Sequence, residues 1–255
     1  MLSVKDYKYK SWKDKFPDGK VVLEFDQKST WYGLLKEFLE GEDFDFLKEC
    51  LGEEIKAGKR VYPYPELLFS AFKFTLWENL KVCILGMDPY TRFEKGIPQA
   101  MGLSFSVPVG INIPSSLSNI FNNMKKFNHI KSKPSHGNLE FLASQGCLML
   151  NSALTVPDSE TNKHVAMWKW FTDGVIEKIS NEREHIIFVL WGAPALSKLK
   201  LIDQSKHDVL ISSHPSGLSC GKPLKQYPAF NDADHFGNIN VLLKKYNKTP
   251  LVYEL

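Results

Sequence analysis

The chain has 255 residues, 43% of them apolar and 24% charged, with a formal net charge of +3. This excludes a disordered or fibrous chain and suits one large globular domain or two small ones, and the weak positive balance permits an anionic partner without demanding one. No apolar run is long enough to cross a bilayer, and the first twenty residues mix Lys with Asp and lack the apolar core of a secretory signal.

In chain order, residues 1–28 are polar, with Trp12 and Phe16 as isolated anchors, and read as an arm lying on the domain. Ser29 or Thr30 is placed to cap a helix carrying Trp31, Leu34, Leu35, Phe38 and Leu39. A second helix is expected over residues 45–58, with Phe46, Leu47, Cys50, Leu51 and Ile55 inward. Tyr62-Pro63-Tyr64-Pro65 cannot be regular helix, and Pro65 suits the first turn of a helix through Leu67, Leu68, Ala71 and Phe72. Val82–Leu85 is a short apolar run that stops at Gly86, a buried strand entering a tight loop. Pro89 there biases Asp88 toward extended backbone. Residues 91–102 read as a loop, followed by Leu103–Val107 and an irregular stretch to Pro114. Ser115 or Ser116 starts a helix through Leu117, Ile120 and Met124, and another helix lies near residues 139–144. Cys147–Asn151 is a second buried strand. Trp168, Phe171, Val175, Ile176 and Ile179 mark an amphipathic helix. Residues 186–191 form a third strand closed by Gly192, and Pro194 opens a helix through Leu196 and Leu199. Asp208–Ser212 is a fourth strand running into His214. Pro223 and Pro228 keep regular helix out of the next segment, and a last helix spans residues 236–246. The four cysteines, Cys50, Cys83, Cys147 and Cys220, show no CxxC spacing. They read as free thiols in a reducing compartment rather than ligands of a zinc or iron–sulfur site.

Helices alternating with short, continuously apolar strands argue for a parallel sheet covered on both faces. Ligands of such sheets bind beyond the carboxyl ends of the strands. Asp88, Asn151 and His214 each follow a strand end, so an acid, an amide and an imidazole are expected to converge on one edge. Taken singly, each has a plainer reading: an Asp-Pro turn, a turn asparagine, a satisfied histidine.

Together the motifs resemble family 1 uracil-DNA glycosylases. The GQDPYH loop appears as Gly86-Met87-Asp88-Pro89-Tyr90-Thr91, and QAHGLxFSV as Gln99-Ala100-Met101-Gly102-Leu103-Ser104-Phe105-Ser106-Val107. SLxNI appears as Ser116-Leu117-Ser118-Asn119-Ile120, and LLNxxLTV as Leu148 to Val156. HPSPLS appears as His214-Pro215-Ser216-Gly217-Leu218-Ser219, and the upstream YPP element has an echo in Val61-Tyr62-Pro63. The resemblance runs from about Trp31 to the C-terminus. It implies a single α/β domain over residues 29–255, with a central four-stranded parallel sheet flanked by helices. It implies a monofunctional DNA N-glycosylase that flips uracil out of DNA and hydrolyses its glycosidic bond, starting base-excision repair. By the same resemblance Asp88 orients water and faces the cationic sugar, and His214 donates to the uracil oxygen. Asn151 reads the uracil edge, Phe105 stacks on the base, Tyr90 excludes thymine's methyl group, and Met87 serves the base through its backbone. Ser116, Ser216 and Ser219 grip phosphates, and Leu218 wedges into the gap left by the flipped nucleotide.

No cofactor and no metal are implied. The implied partners are single- or double-stranded uracil-containing DNA and replication or repair proteins, with the enzyme a monomer and no membrane involved. Its implied location is intracellular: nuclear, or cytoplasmic for a chain from a cytoplasmic virus. The chain departs from the family pattern at Met87 (usually Gln), Thr91 (usually His) and Ala193 (often Ser). Residues 92–97 and 220–234 make longer segments than usual, the second carrying Lys222, Lys225 and Tyr227 for phosphate contact. A DNA-binding scaffold that kept the fold is the competing reading; retention of Asp88, Asn151, Phe105 and His214 favours the enzyme. A nucleotide-binding α/β protein is remote, since GxGxxG and GxxxxGK[ST] are both missing.

Overall fold

The computed structural model describes residues 1–254. Its centre is a four-stranded sheet in the order Cys147–Asn151, Val82–Gly86, Ile187–Trp191, Asp208–Ser212, all parallel. The first three strands are buried along their whole length, which is why they read as unbroken apolar runs. Asp208–Ser212 is an edge strand and only half-buried. The register pairs Gly86 with Asn151 and Trp191 with Ser212, so the four strands end level. The loops that follow therefore open onto one edge.

Gly86 has a steric reason to be glycine. A Cβ at residue 86 would lie 2.1 Å from Asn151 Oδ1 and 2.8 Å from Ser104 Cβ. Two strand ends and the Leu103–Val107 segment meet there.

The helices pack round the sheet largely as expected, with informative exceptions. The first long helix is Tyr32–Leu39, and neither Ser29 nor Thr30 caps it: its N-cap is Trp31, with no side-chain cap bond. Thr30 Oγ1 instead accepts the Trp77 N–H at 2.9 Å, a long-range tie that outcompetes local capping. The second helix is Glu42–Lys56, beginning three residues before the expected start. Phe46 lies outside at 64% exposure, while Phe44 is buried at 2%. Phe44, Leu47, Leu51 and Ile55 share one helical stripe, from which position 46 is rotated away. After Pro65 the chain makes only a 3-10 turn, Pro65–Leu67, before a short helix at Ser70–Phe74. The Leu67 carbonyl takes the Ser70 hydroxyl at 2.7 Å. Within the segment read as a loop, Phe93–Glu94 pairs antiparallel with Ile97–Pro98.

Residues 1–28 are tied to this body at several points. Trp12 and Phe16 are buried, Trp12 Nε1 donates to the Pro63 carbonyl at 2.7 Å, and Val4 N–H donates to Val109 O at 2.9 Å. All four cysteines are free thiols. Among the described residues no helix is long and apolar enough to cross a membrane.

Candidate active site

The loop after Val82–Gly86 is clamped to the loop after Cys147–Asn151. Gly86 O accepts the Ser152 N–H at 3.0 Å and its hydroxyl at 3.2 Å, and Met87 O accepts the Ala153 N–H at 2.9 Å. These bonds continue the parallel ladder past the strand ends and hold Met87 and Asp88 at the mouth. Asp88 Oδ2 accepts the Asn162 N–H at 2.7 Å. Burial pushes the Asp88 carboxyl above the usual carboxylate range, and the Asn162 amide pulls partly the other way. Asn162 was not legible as a site residue: it acts through its backbone, and only its left-handed φ of 66° marks it.

A cavity of about 220 Å³ opens at this edge. Met87, Asp88, Tyr90, Phe105, Ser116, Asn151 and His214 all line it, joined by Thr161, which the sequence did not point to. The convergence expected from strand order is thus met by residues up to 127 positions apart, from Met87 to His214.

Each wall is built differently. Phe105 is held with φ at 62°, an unusual conformation for an aromatic residue, and this turns the segment out of any strand. Its ring lies 5.6 Å from the Trp191 ring and 5.9 Å from the His214 ring, centroid to centroid. Tyr90 donates its hydroxyl to Phe105 O at 3.2 Å, and burial pushes its phenol upward. The hydroxyl is therefore engaged with the backbone, and the ring forms a wall. Asn151 is buried, with its Oδ1 over the Gly86 backbone.

His214 follows the edge strand. Its Nδ1 accepts the Ser216 N–H at 3.1 Å. A nitrogen that accepts from an amide carries no proton, so the neutral ring holds its hydrogen on Nε2. Burial pushes the His214 pKa below the ordinary histidine value, favouring that neutral form. Gly192, at φ 91°, passes behind the ring: a Cβ there would sit 3.0 Å from His214 Cβ.

Ser216, Leu218 and Ser219 do not line the first cavity. They border an adjoining one, which shares Met87 and His214 with it. The Ser216–Ser219 turn is closed by the Ser219 N–H on Ser216 O at 2.9 Å. Asn119 Nδ2 donates to Pro215 O at 2.8 Å and ties this turn to the Ser115–Lys126 helix, whose second residue is Ser116. Leu218, at the tip, is 87% exposed. Among the described residues nothing buries this leucine, which projects from a braced turn.

This geometry can be set beside known proteins. The model of the uracil DNA glycosylase superfamily matches residues 74–236. The chain is 37% identical to a probable uracil-DNA glycosylase of Acanthamoeba polyphaga mimivirus over 268 residues, covering all of this chain and 72% of that protein. It is 43% identical to a uracil-DNA glycosylase of Campylobacter concisus (strain 13826) over 227 residues, covering 89% and 93% of the two chains. The crystal structure of mimivirus uracil-DNA glycosylase superposes with a TM-score of 0.93 at 38% identity, covering 100% and 97%. The matched span holds the Asp88, Asn151 and His214 strand ends alike, and with that likeness in fold and sequence the chain belongs to the uracil DNA glycosylase superfamily.

Proposed function

We infer that the residues gathered at the strand ends excise uracil from DNA by hydrolysing the bond between base and deoxyribose. The enzyme is a DNA N-glycosylase and leaves an abasic site, the starting point of base-excision repair. The observation that carries the reading is the joint placement of a carboxylate, an amide and a neutral imidazole in one cavity beyond level strand ends. The test is incubation with a uracil-containing oligonucleotide in EDTA, followed by alkaline cleavage. A strand break at the uracil position is expected, and an intact strand would sink the reading.

The target atom is hidden in the duplex, so the nucleotide must be flipped out at a cost of a few kcal/mol. As the C1′–N1 bond breaks, its electron pair leaves with uracil and the sugar becomes oxocarbenium-like. Asp88 faces that cation and orients the water whose oxygen bonds to C1′, and the proton this water gives up neutralises the uracil anion. His214 Nε2–H donates to the oxygen of the leaving base, where negative charge develops. Asn151 offers Oδ1 to the base N–H and Nδ2 to its carbonyl, and cytosine presents the reverse pattern there. Phe105 covers the face of the base, and the Met87 backbone stays beside it. Ser116, Ser216 and Ser219 hold phosphates, helped by free N–H groups at the start of the Ser115–Lys126 helix. Residues 29–255 form the catalytic domain, of which Leu255 lies outside the described residues, and residues 1–28 are an arm strapped to it. The enzyme acts inside the cell, in the nucleus or, for a viral chain, the cytoplasm. It works as a monomer on single- or double-stranded DNA, alongside replication or repair proteins.

Two variants probe specificity and flipping. Tyr90→Ala removes the wall where thymine's methyl group would go, so slow release of thymine from DNA is expected alongside uracil release. Assay on both substrates checks this; thymine left wholly untouched would move the barrier to residues 91–97. Leu218→Ala is expected to reduce excision from duplex DNA about tenfold while changing excision from single strands little, since only the duplex must be held open. Equal losses on both would mean that Leu218 is no wedge.

A further inference from the structure

The amide that holds Asp88 comes from a segment with little packing of its own. Residues 158–164 join Val156–Pro157 to the helix Val165–Glu182. Thr161, Asn162 and Lys163 are exposed, and Ser159 and Asn162 carry left-handed φ values of 61° and 66°. Thr161 lines the cavity, and the Asn162 N–H meets Asp88 Oδ2 at 2.7 Å. His164 is the one buried residue of the segment, 3% exposed, and it does not line the cavity.

Both ring nitrogens of His164 are engaged. Nδ1 lies 2.8 Å from Thr155 Oγ1, and Nε2 lies 2.8 Å from Glu54 Oε2 on the helix Glu42–Lys56. Thr155 Oγ1 also accepts the Trp168 indole N–H at 2.6 Å. Having accepted the indole, the hydroxyl turns its own hydrogen to Nδ1, and the ring hydrogen sits on Nε2 facing the carboxylate. The other tautomer would set an Nε2 lone pair against Glu54. Burial pushes the His164 pKa below the ordinary histidine value, against the pull of Glu54, so the ring is neutral and each member of the chain is satisfied. The charged groups around the ring are Glu54, Lys59 just past the end of its helix, and Glu160 on the segment itself. Lys59 bridges the other two, 3.2 Å from Glu54 Oε1 and 3.0 Å from Glu160 Oε1. The segment is thus pinned at Glu160 and His164, on either side of Asn162, and the Val165 N–H closes the turn on Asn162 O at 3.2 Å.

We propose that His164 is a positioning residue: the Trp168–Thr155–His164–Glu54 chain of hydrogen bonds holds the Asn162 N–H on Asp88 Oδ2 and so aims the carboxylate at the reacting sugar. The proposal rests on the uracil-excision reading, with His164 acting through Asn162 and touching no substrate. An exposed turn with two left-handed residues has other backbone states to visit, and the bond to Asp88 needs this one. A buried chain with every member satisfied supplies the selection. The amide also matters to the charge. Burial acts on the Asp88 carboxyl against two amides, those of Asn162 and of Asp88 itself, and no charged side chain among the described residues takes part. His214 and Tyr90, which share the cavity, are held neutral by burial. With the Asn162 amide swung away, burial meets less opposition and Asp88 takes up its proton at higher pH.

The test compares His164→Leu and His164→Gln with the wild type on a single-stranded oligonucleotide holding one uridine. Leucine fills the space without polar atoms, whereas glutamine can accept from Thr155 through its oxygen and donate to Glu54 through its nitrogen. For His164→Leu, kcat is expected to fall about tenfold with KM within about twofold of wild type, as for loss of one hydrogen bond to a charged group. The acid limb of kcat should move to higher pH, and His164→Gln should restore both rate and limb. A second readout needs no DNA. In NMR spectra of the free wild-type enzyme the Asn162 amide proton should follow the titration of Asp88, and in His164→Leu it should lose that response. An amide that still follows Asp88 in His164→Leu would overturn the proposal. So would a loss carried by KM alone, or a glutamine variant as impaired as the leucine one. Where His164→Leu fails to fold, Glu54→Ala decides: Glu54 is partly exposed, its removal frees Nε2, and an unchanged Asn162 response would overturn the proposal. A wild-type enzyme that leaves the oligonucleotide intact would instead overturn uracil excision, a result on which the amide titration does not depend.

Discussion

Asp88→Asn is expected to lower single-turnover excision of uracil by about 10²–10³-fold and, at the same time, to raise the thermal stability of the fold at neutral pH. The loss follows from the charge. Asparagine keeps the shape and can still accept the Asn162 N–H through its oxygen, but it offers no negative charge to the cationic sugar. Removing one preorganised electrostatic partner typically costs this much, about 3–4 kcal/mol. The gain follows from desolvation. Burial raises the Asp88 pKa in the folded chain, so the folded state binds that proton more readily than the unfolded state. The stability this contributes is complete below the ordinary carboxylate pKa and is lost as pH rises through the raised value. At pH 7 the ionised group therefore weighs against folding, and the neutral amide relieves it. Melting temperatures of both proteins at pH 7 and at acid pH check the sign: the variant's advantage should shrink as pH falls. A variant that is both slower and less stable at pH 7 would mean that Asp88 holds the loop rather than serving the reaction.

The same shift sets the acid limb of the rate. The proposed role requires Asp88 ionised, so excision is expected to fall as pH drops through its raised pKa, at higher pH than for an ordinary aspartate. The Asp88→Asn profile should lack that limb.

Much of the sheet was legible because its strands are buried on both faces. A strand of that kind needs no alternation, so Val82–Leu85 and Cys147–Asn151 stand out as apolar blocks ended by Gly86 and Asn151. The convergence of Asp88, Asn151 and His214 on one cavity followed from where parallel strands end. What stayed hidden shares a physical cause: it depends on partners distant in sequence. The Asn162 N–H that holds Asp88 is a backbone group and has no residue signature. Thr30 looks like a cap in its local sequence and becomes a tie to Trp77 only in the folded chain. Phe44 and Phe46 are equally apolar, and which one faces inward is set by what the helix packs on. The Phe93–Glu94 and Ile97–Pro98 pair is too short to show any period. The left-handed backbone at Phe105 is likewise invisible in residue type, since nothing about phenylalanine favours it.

His214→Leu is expected to reduce single-turnover excision by about 10²–10³-fold while changing the affinity for uracil-containing DNA little. Two observations set the state of the ring. The Ser216 N–H occupies Nδ1 at 3.1 Å, and burial holds the pKa below the ordinary value. A proton added at Nδ1 would have to displace the Ser216 amide, so the ring presents a neutral Nε2–H to the cavity. A neutral donor stabilises charge as it develops on the leaving base without attracting anions in the ground state, so its contribution appears in turnover more than in binding. Leucine fills the ring's space without a donor and leaves the Ser216 N–H free to find water. The pH sign runs the other way from Asp88: the unfolded chain takes up this proton more readily, so stability is lost as pH falls below the unfolded histidine value. The proposed mechanism assigns Asp88 and His214 to opposite halves of one separating ion pair, and on that reading the double variant should lose less than the product of the single losses. Rates and affinities for both singles and the double measure this directly. A His214→Leu enzyme turning over at near wild-type rate would remove His214 from the reaction, and strictly multiplicative losses would mean that the two residues act on separate steps.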